Sequence, residues 1–276
     1  YEEGLSIGND MEALGLYGIC GTGADIHRSP FCGRNFEYYS EDPLLSGIMA
    51  GNYVKGIRQN GKIAYLKHFA LAETETCRDN LYTWVSEQAL REIYLEPFRI
   101  AVQEYGANGL MTSYNRVGAL WAGGSVSLMT GVLRNEWGFK GAVITDYSDL
   151  NRYMDLDETL RAGGDLGMAV GTVSDYSTPR AQRVLRNAIK HVVYAYLNAM
   201  YSRREYNKNP WKGKTITSSN SRPSFNWVSP LVLDVNIALG FVVFGLVFFG
   251  VFDSFGLCAW IDQKIASKKK KKEEEK

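Results

Sequence analysis

Apolar and polar positions along this 276-residue chain follow two rhythms. Short apolar runs bounded by glycine or turn residues predict strands over 17–26, 62–66, 108–113 and 141–146. Helical periodicity predicts helices over 44–59, 83–105, 126–136, 156–163 and 180–202, and Ile7 to Leu16 carries the same period. Strand then helix, repeated with short connections, predicts an α/β fold with a parallel sheet covered by helices. The clearest strand is GAVITDY (Gly141 to Tyr147), rich in β-branched residues and ending at a carboxylate, Asp146. A carboxylate where such a strand opens into the loop before a helix is where (β/α) barrels keep their catalytic groups. A closed barrel has eight strands and about 250 residues, whereas this pattern shows four clear strands. An open half-barrel exposes sheet edges, so residues 1–200 are expected to form a partial (β/α)8 TIM-type barrel.

Beyond residue 200 the pattern changes. Residues 201–234 are polar and turn-rich and predict a linker or stalk. Residues 235–252 form an 18-residue stretch without a charge, which predicts one C-terminal transmembrane helix. Lys264 and Lys268 to Lys272 follow it closely, whereas only Arg222 precedes it closely. Positive charge on that side puts the basic and acidic tail, 253–276, in the cytoplasm and residues 1–200 outside the cell. The first ten residues, YEEGLSIGND, are acidic, with neither the basic start nor the apolar core of a signal peptide. They begin inside a helical pattern, and the expectation is a piece of something longer.

Hydrophobic content of 45% and charged content of 22% describe a folded protein. A net charge of +1 argues against nucleic acid as a partner. Four cysteines show no CxxC pairing and no zinc-ligand spacing with the three histidines, and are expected as isolated buried thiols.

The candidate chemistry sits in ordered motifs: GRNFEYYSEDP (33–43), KHF (67–69), MTSYN (111–115) and LRNEWGFKGAVITDY (133–147). Lys67 and His68 close a strand and can donate together to a pair of hydroxyls. Arg34 offers a planar fork of donors. Glu37, Glu41 and Asp42 add carboxylates to the first motif, but SEDP before an apolar helix is a start signal, so Ser40 or Asp42 is expected to cap. Asp149, close to Asp146, is expected to cap the helix containing Asp157.

This series resembles the barrel domain of family 3 glycoside hydrolases, the β-glucosidase and β-xylosidase family, over residues 8–170. The resemblance implies that Asp146 is the glycosyl-accepting nucleophile. It implies substrate contacts for Arg34, Lys67, His68, Met111, Tyr114 and Arg152, and scaffold roles for Arg91 and Arg134. No metal or organic cofactor is implied, and the substrate is a β-linked glucoside, xyloside or oligosaccharide. Ala72 and Thr74 replace amides common in the family, while Glu75 and Arg78 are kept. No second histidine follows Phe69 closely, which sets aside the N-acetylglucosaminidase branch. A retaining enzyme needs a second carboxyl about 5–5.5 Å from the first. In the glucosidase branch it comes from a second α/β domain, for which this chain has no room. The expectation is therefore the C-terminal part of a circularly permuted, membrane-anchored β-glucosidase. The competing reading is a non-catalytic, membrane-anchored carbohydrate-binding module.

Overall fold

The computed structural model describes residues 1–147, 153–168 and 177–208, together with Lys264. The chain divides into two units, Tyr1–Lys212 and Gly213–Lys276, and the fold below belongs to the first. In chain order its elements are α1 (Glu2–Ala13), β1 (Gly18–Gly23), α2 (Pro43–Gln59), β2 (Ile63–Phe69), β3 (Tyr82–Thr83), α3 (Glu87–Ala89) and α4 (Glu96–Gln103). There follow β4 (Gly109–Thr112), β5 (Arg116–Val117), β6 (Leu120–Trp121), β7 (Ala142–Tyr147), α5 (Leu156–Ala162), β8 (Leu166–Met168) and α6 (Pro179–Lys208).

Five strands form a parallel sheet in the order β1-β2-β4-β7-β8. Successive side chains on a strand point to opposite faces, and the burial pattern follows. Ala64, Leu66, Leu110 and Val143 join Val54 and Ile57 of α2, Phe98 and Ala101 of α4, and Leu133 in the main core. On the other face, near the N-terminal ends of the strands, Ile63 and Ala142 pack on Ala195 and Ala199 of α6. The site therefore develops at the opposite, C-terminal ends, where β2 finishes with Lys67 and His68 and β7 with Asp146.

Local chemistry explains the helix boundaries. Asp42 caps α2 by accepting the N–H groups of Leu44 (2.8 Å) and Leu45 (3.2 Å), with Pro43 following it. Of the two residues expected to cap there, Asp42 therefore does so. The expected cap at Asp149 is corrected: Asp155 caps α5, accepting the N–H of Asp157 at 2.7 Å. A cap acts from the residue that immediately flanks the first turn, and Asp149 itself lies outside the described residues. On α2, Gly56 passes directly against the backbone of α1, where any side chain would collide with the Tyr1 carbonyl.

The single helix expected over 83–105 is also corrected. Residues 82–83 form β3, and the helix starts only after Ser86, whose hydroxyl accepts the Ala89 N–H at 3.2 Å. A π-helical stretch, Leu90–Tyr94, then precedes α4. Pro97 has no N–H to give to the carbonyl of Ile93, and the turn before it widens, with Leu95 N–H donating to the Leu90 carbonyl at 2.8 Å. The helix expected over 126–136 is π-helical over Ser127–Glu136. The short strand β8 escaped the sequence pattern altogether. The cysteines are partly corrected too: Cys32 is buried, but Cys20 and Cys77 are exposed, and all three are free.

Among the described residues no helix is long and apolar enough to cross a membrane. The stretch 235–252, the stalk from 209 to 234, Cys258 and Arg152 lie outside the described residues.

Candidate active site

Asp146 is the penultimate residue of β7 and is 8% exposed. Its Oδ1 accepts the N–H of Tyr147 at 2.7 Å. Its Oδ2 is buried without a hydrogen-bond partner among the described residues and lies 3.6 Å from Nε2 of His68. His68, at the end of β2, is held from behind by Asp25, which is fully buried. Asp25 accepts the backbone N–H groups of His68 (2.7 Å) and Ala72 (3.2 Å) with its two oxygens. Its Oδ2 also lies 3.4 Å from His68 Nδ1, which the Tyr38 hydroxyl approaches at 3.3 Å. The imidazole thus stands between two carboxylates, one fixed and one with an open oxygen.

A chain of charge runs around this centre. Lys67 Nζ donates to Glu37 Oε2 at 2.8 Å, and Arg34 Nε donates to Glu37 Oε1. Arg34 Nη1 is 3.8 Å from Glu75, whose other oxygen accepts from Arg78 Nη1 at 2.9 Å. The Arg78 guanidinium stacks on the Tyr114 ring, 4.3 Å from its centre. Tyr114 closes the circuit by donating its hydroxyl to the Tyr147 carbonyl at 2.8 Å.

These contacts shift several groups. Burial opposes ionisation of Glu37, but the hydrogen bonds and charges of Arg34 and Lys67 outweigh it and hold the carboxyl below the ordinary glutamate range. Burial likewise acts against the Arg34 cation, and its bond to Glu37 more than compensates, raising its pKa. Burial, with the nearby Asp146 charge adding to it, pushes the Tyr114 phenol up to about 12. Tyr114 is therefore a hydrogen-bond donor at neutral pH.

Of the residues expected from sequence, Arg34, His68, Tyr114 and Asp146 line one pocket, together with Glu75 and Arg78. Lys67 joins it through Glu37. Met111 sits on β4, 2% exposed and paired in register with Ile144, and is not part of the lining. Arg91 is the scaffold residue expected, bridging Glu87 (2.9 Å) and Glu136 (2.7 Å) at the surface. Arg134 is another, stitching the carbonyls of Phe139, Gly141 and Gly163. Sequence reasoning missed Asp25, Tyr38, Glu37, Glu75 and Arg78 as members of the site. The signal for Glu37 was its place within GRNFE, and for Glu75 and Arg78 their retention beside replaced amides. The described side chains leave a cavity of about 10 Å³, room for roughly one water.

A strand-end carboxylate ringed by directional donors at the C-terminal edge of a parallel sheet stands where (β/α) barrels keep their catalytic groups. Residues 1–193 match the glycosyl hydrolase family 3 N terminal domain, and the chain belongs to that family. It is 42% identical over 165 residues to β-glucosidase B of Emericella nidulans, covering 60% of this chain and 19% of that protein. It is 38% identical over 190 residues to β-glucosidase A of Butyrivibrio fibrisolvens, covering 69% of this chain and 22% of the relative. The chain thus spans about a fifth of the length of these curated relatives. Among solved structures it is similar to β-glucosidase 3B from Thermotoga neapolitana in complex with glucose. That likeness has a TM-score of 0.65 and 34% identity, over 74% of this chain and 31% of the other.

Proposed function

We propose that this chain carries the nucleophile side of a retaining β-glucosidase, with Asp146 attacking the anomeric carbon of a terminal β-linked glucose. The observation that carries the reading is the state of the Asp146 carboxylate. One oxygen is fixed by a backbone N–H, and the other, 3.6 Å from His68 Nε2, is buried without a hydrogen-bond partner among the described residues. In a retaining mechanism that open oxygen forms a bond to C1 as the bond from C1 to the leaving oxygen breaks. A proton must reach the leaving oxygen. Glu75 is the other carboxylate lining the pocket among the described residues, and its oxygens face Arg78 and Arg34. It suits orientation rather than proton donation. The acid/base glutamate is assigned to a second α/β domain of the parent protein.

Lys67, His68 and Arg34 present donors to the sugar hydroxyls, and Tyr114 presents its phenol beside the nucleophile. Among the described residues the pocket's other carboxylate is engaged by arginines, and that favours the second reading, a membrane-anchored module that binds a carbohydrate without cleaving it. The wider expectations stand as proposals alongside: Arg152 as a further sugar contact, a permuted barrel over 1–200, a stalk over 201–234, an anchor over 235–252 and an extracellular site.

Hydrolysis of an activated aryl β-glucoside tests the reading, since such a leaving group needs little proton donation. The chain and its full-length parent are each compared with Asp146→Ala. Activity in the parent that vanishes in the variant supports the glucosidase. A parent that cleaves neither aryl β-glucosides nor β-xylosides favours the binding module.

A further inference from the structure

Under the glucosidase reading, on which this inference rests, Lys67 and Arg34 must serve a sugar while leaving Asp146 free to attack. The groups are close together. Arg34 and Asp146 line the same pocket, and Lys67 reaches the same Glu37 carboxylate as Arg34. A guanidinium on a flexible stem beside a partly desolvated carboxylate is strongly drawn to it. Yet among the described residues the one basic nitrogen within 4 Å of Asp146 is His68 Nε2.

What holds the cations elsewhere is Glu37. Its Oε2 takes the Lys67 ammonium at 2.8 Å, and its Oε1 takes Arg34 Nε. It sits at the end of a short 3-10 turn, Asn35–Glu37, that Arg34 itself flanks, so one tight turn sets the carboxylate and one of its partners together. The three side chains are 16–18% exposed, where solvent screening is weakened but not lost. Lys67 spends one of three N–H donors on Glu37, and Arg34 spends its Nε, so both keep donors for hydroxyls.

We infer that Glu37 is a positioning residue: it sequesters Lys67 and Arg34, aims their remaining donors at the sugar and keeps Arg34 off the nucleophile. Glu37 forms no bond to substrate in this scheme. Removing its charge releases Lys67 to solvent and frees Arg34, which lines the same pocket as Asp146, to close on the nucleophile, which blocks attack as well as weakening sugar binding.

The test uses Glu37→Gln in the full-length protein. Its amide oxygen can accept from one cation, and its NH₂ group repels the other. Lysine reactivity toward a small acylating reagent is mapped by peptide, with Lys62, buried and paired with Glu12 at 2.7 Å, as the internal control. Lys67 labelling is expected to rise about tenfold, the ratio that one charged hydrogen bond is worth, with Lys62 unchanged. The rate at which a 2-deoxy-2-fluoroglucosyl fluoride esterifies the nucleophile is expected to fall by at least about tenfold. Unchanged Lys67 labelling overturns the inference, and so does an unchanged esterification rate. If Lys62 also becomes reactive, the fold has loosened and the charge-retaining Glu37→Asp decides. Lys67 shielded again supports sequestration, and Lys67 as reactive as in Glu37→Gln refutes it. A wild-type protein that the reagent never esterifies sinks the glucosidase reading instead, while the labelling result still decides the role of Glu37.

Discussion

Asp165 ties the strand that carries Asp146 to the rest of the fold, and its loss should be costly. Its side chain is fully buried, and its partners come from several elements. Oδ2 accepts the backbone N–H of Val143 on β7 (2.7 Å) and Nη2 of Arg134 (2.7 Å), while Oδ1 lies 2.7 Å from His191 Nδ1 on α6. Arg134, 9% exposed, cannot turn to water when its partner goes. Burial already opposes its charge, lowering its pKa despite Asp165. Asp165→Ala therefore leaves a buried cation and a strand N–H unsatisfied. Breaking one side of a buried pair costs about 3–5 kcal/mol. Asp165→Asn, which keeps an acceptor, should cost about 1.5–3 kcal/mol, the worth of a charged hydrogen bond. Urea denaturation of the chain followed by circular dichroism measures both. A loss below about 1 kcal/mol for the alanine variant would mean that the carbonyls of Phe139, Gly141 and Gly163 suffice for Arg134, and the reasoning would fail.

Glu73 is 1% exposed, and burial, then the charge of Asp25, raises its pKa well above the ordinary value against the backbone hydrogen bonds of Glu73 and Ile26. A raised folded pKa gives stability that is complete below the unfolded pKa and lost as pH rises through the folded one. Glu73→Gln should therefore be more stable than wild type at pH 8, with a flatter thermal-melting profile on the alkaline side. Glu37 has the opposite sign. Its lowered pKa contributes stability above the unfolded glutamate pKa that is lost as pH falls through the folded value, so wild type should lose more stability than Glu37→Gln on acidification from pH 6 to 3. Phe98→Ala empties a site packed edge-on against Phe69 at 5.3 Å in the core behind β2, and urea denaturation should show a loss of about 3–5 kcal/mol. Asp42→Ala removes the α2 cap and should cost about 0.5–2 kcal/mol by the same assay.

The parallel sheet was legible because β1, β2, β4 and β7 are short apolar runs framed by turns, each within a few residues of its sequence-derived bounds. β8 was not, since three residues of a strand beside paired glycines carry no period of their own. The break in the helix over 83–105 depends on a missing N–H at Pro97, which an apolar period cannot register. At the site, strand-end residues such as His68 and Asp146 could be placed because their strands could. The carboxylates behind them, Asp25 and Glu37, come from loop segments whose reach depends on the fold of 24–42, and no spacing along the chain encodes it.

Trapping the covalent intermediate tests the central claim most directly. The full-length protein is incubated with a 2-deoxy-2-fluoro-β-glucosyl fluoride, digested and mapped by mass spectrometry. The result expected is a fluoroglucosyl ester on the peptide spanning Gly141 to Tyr147, at Asp146, and none in Asp146→Ala. An ester on a different carboxylate, or turnover of β-glucosides that survives Asp146→Ala, would contradict it.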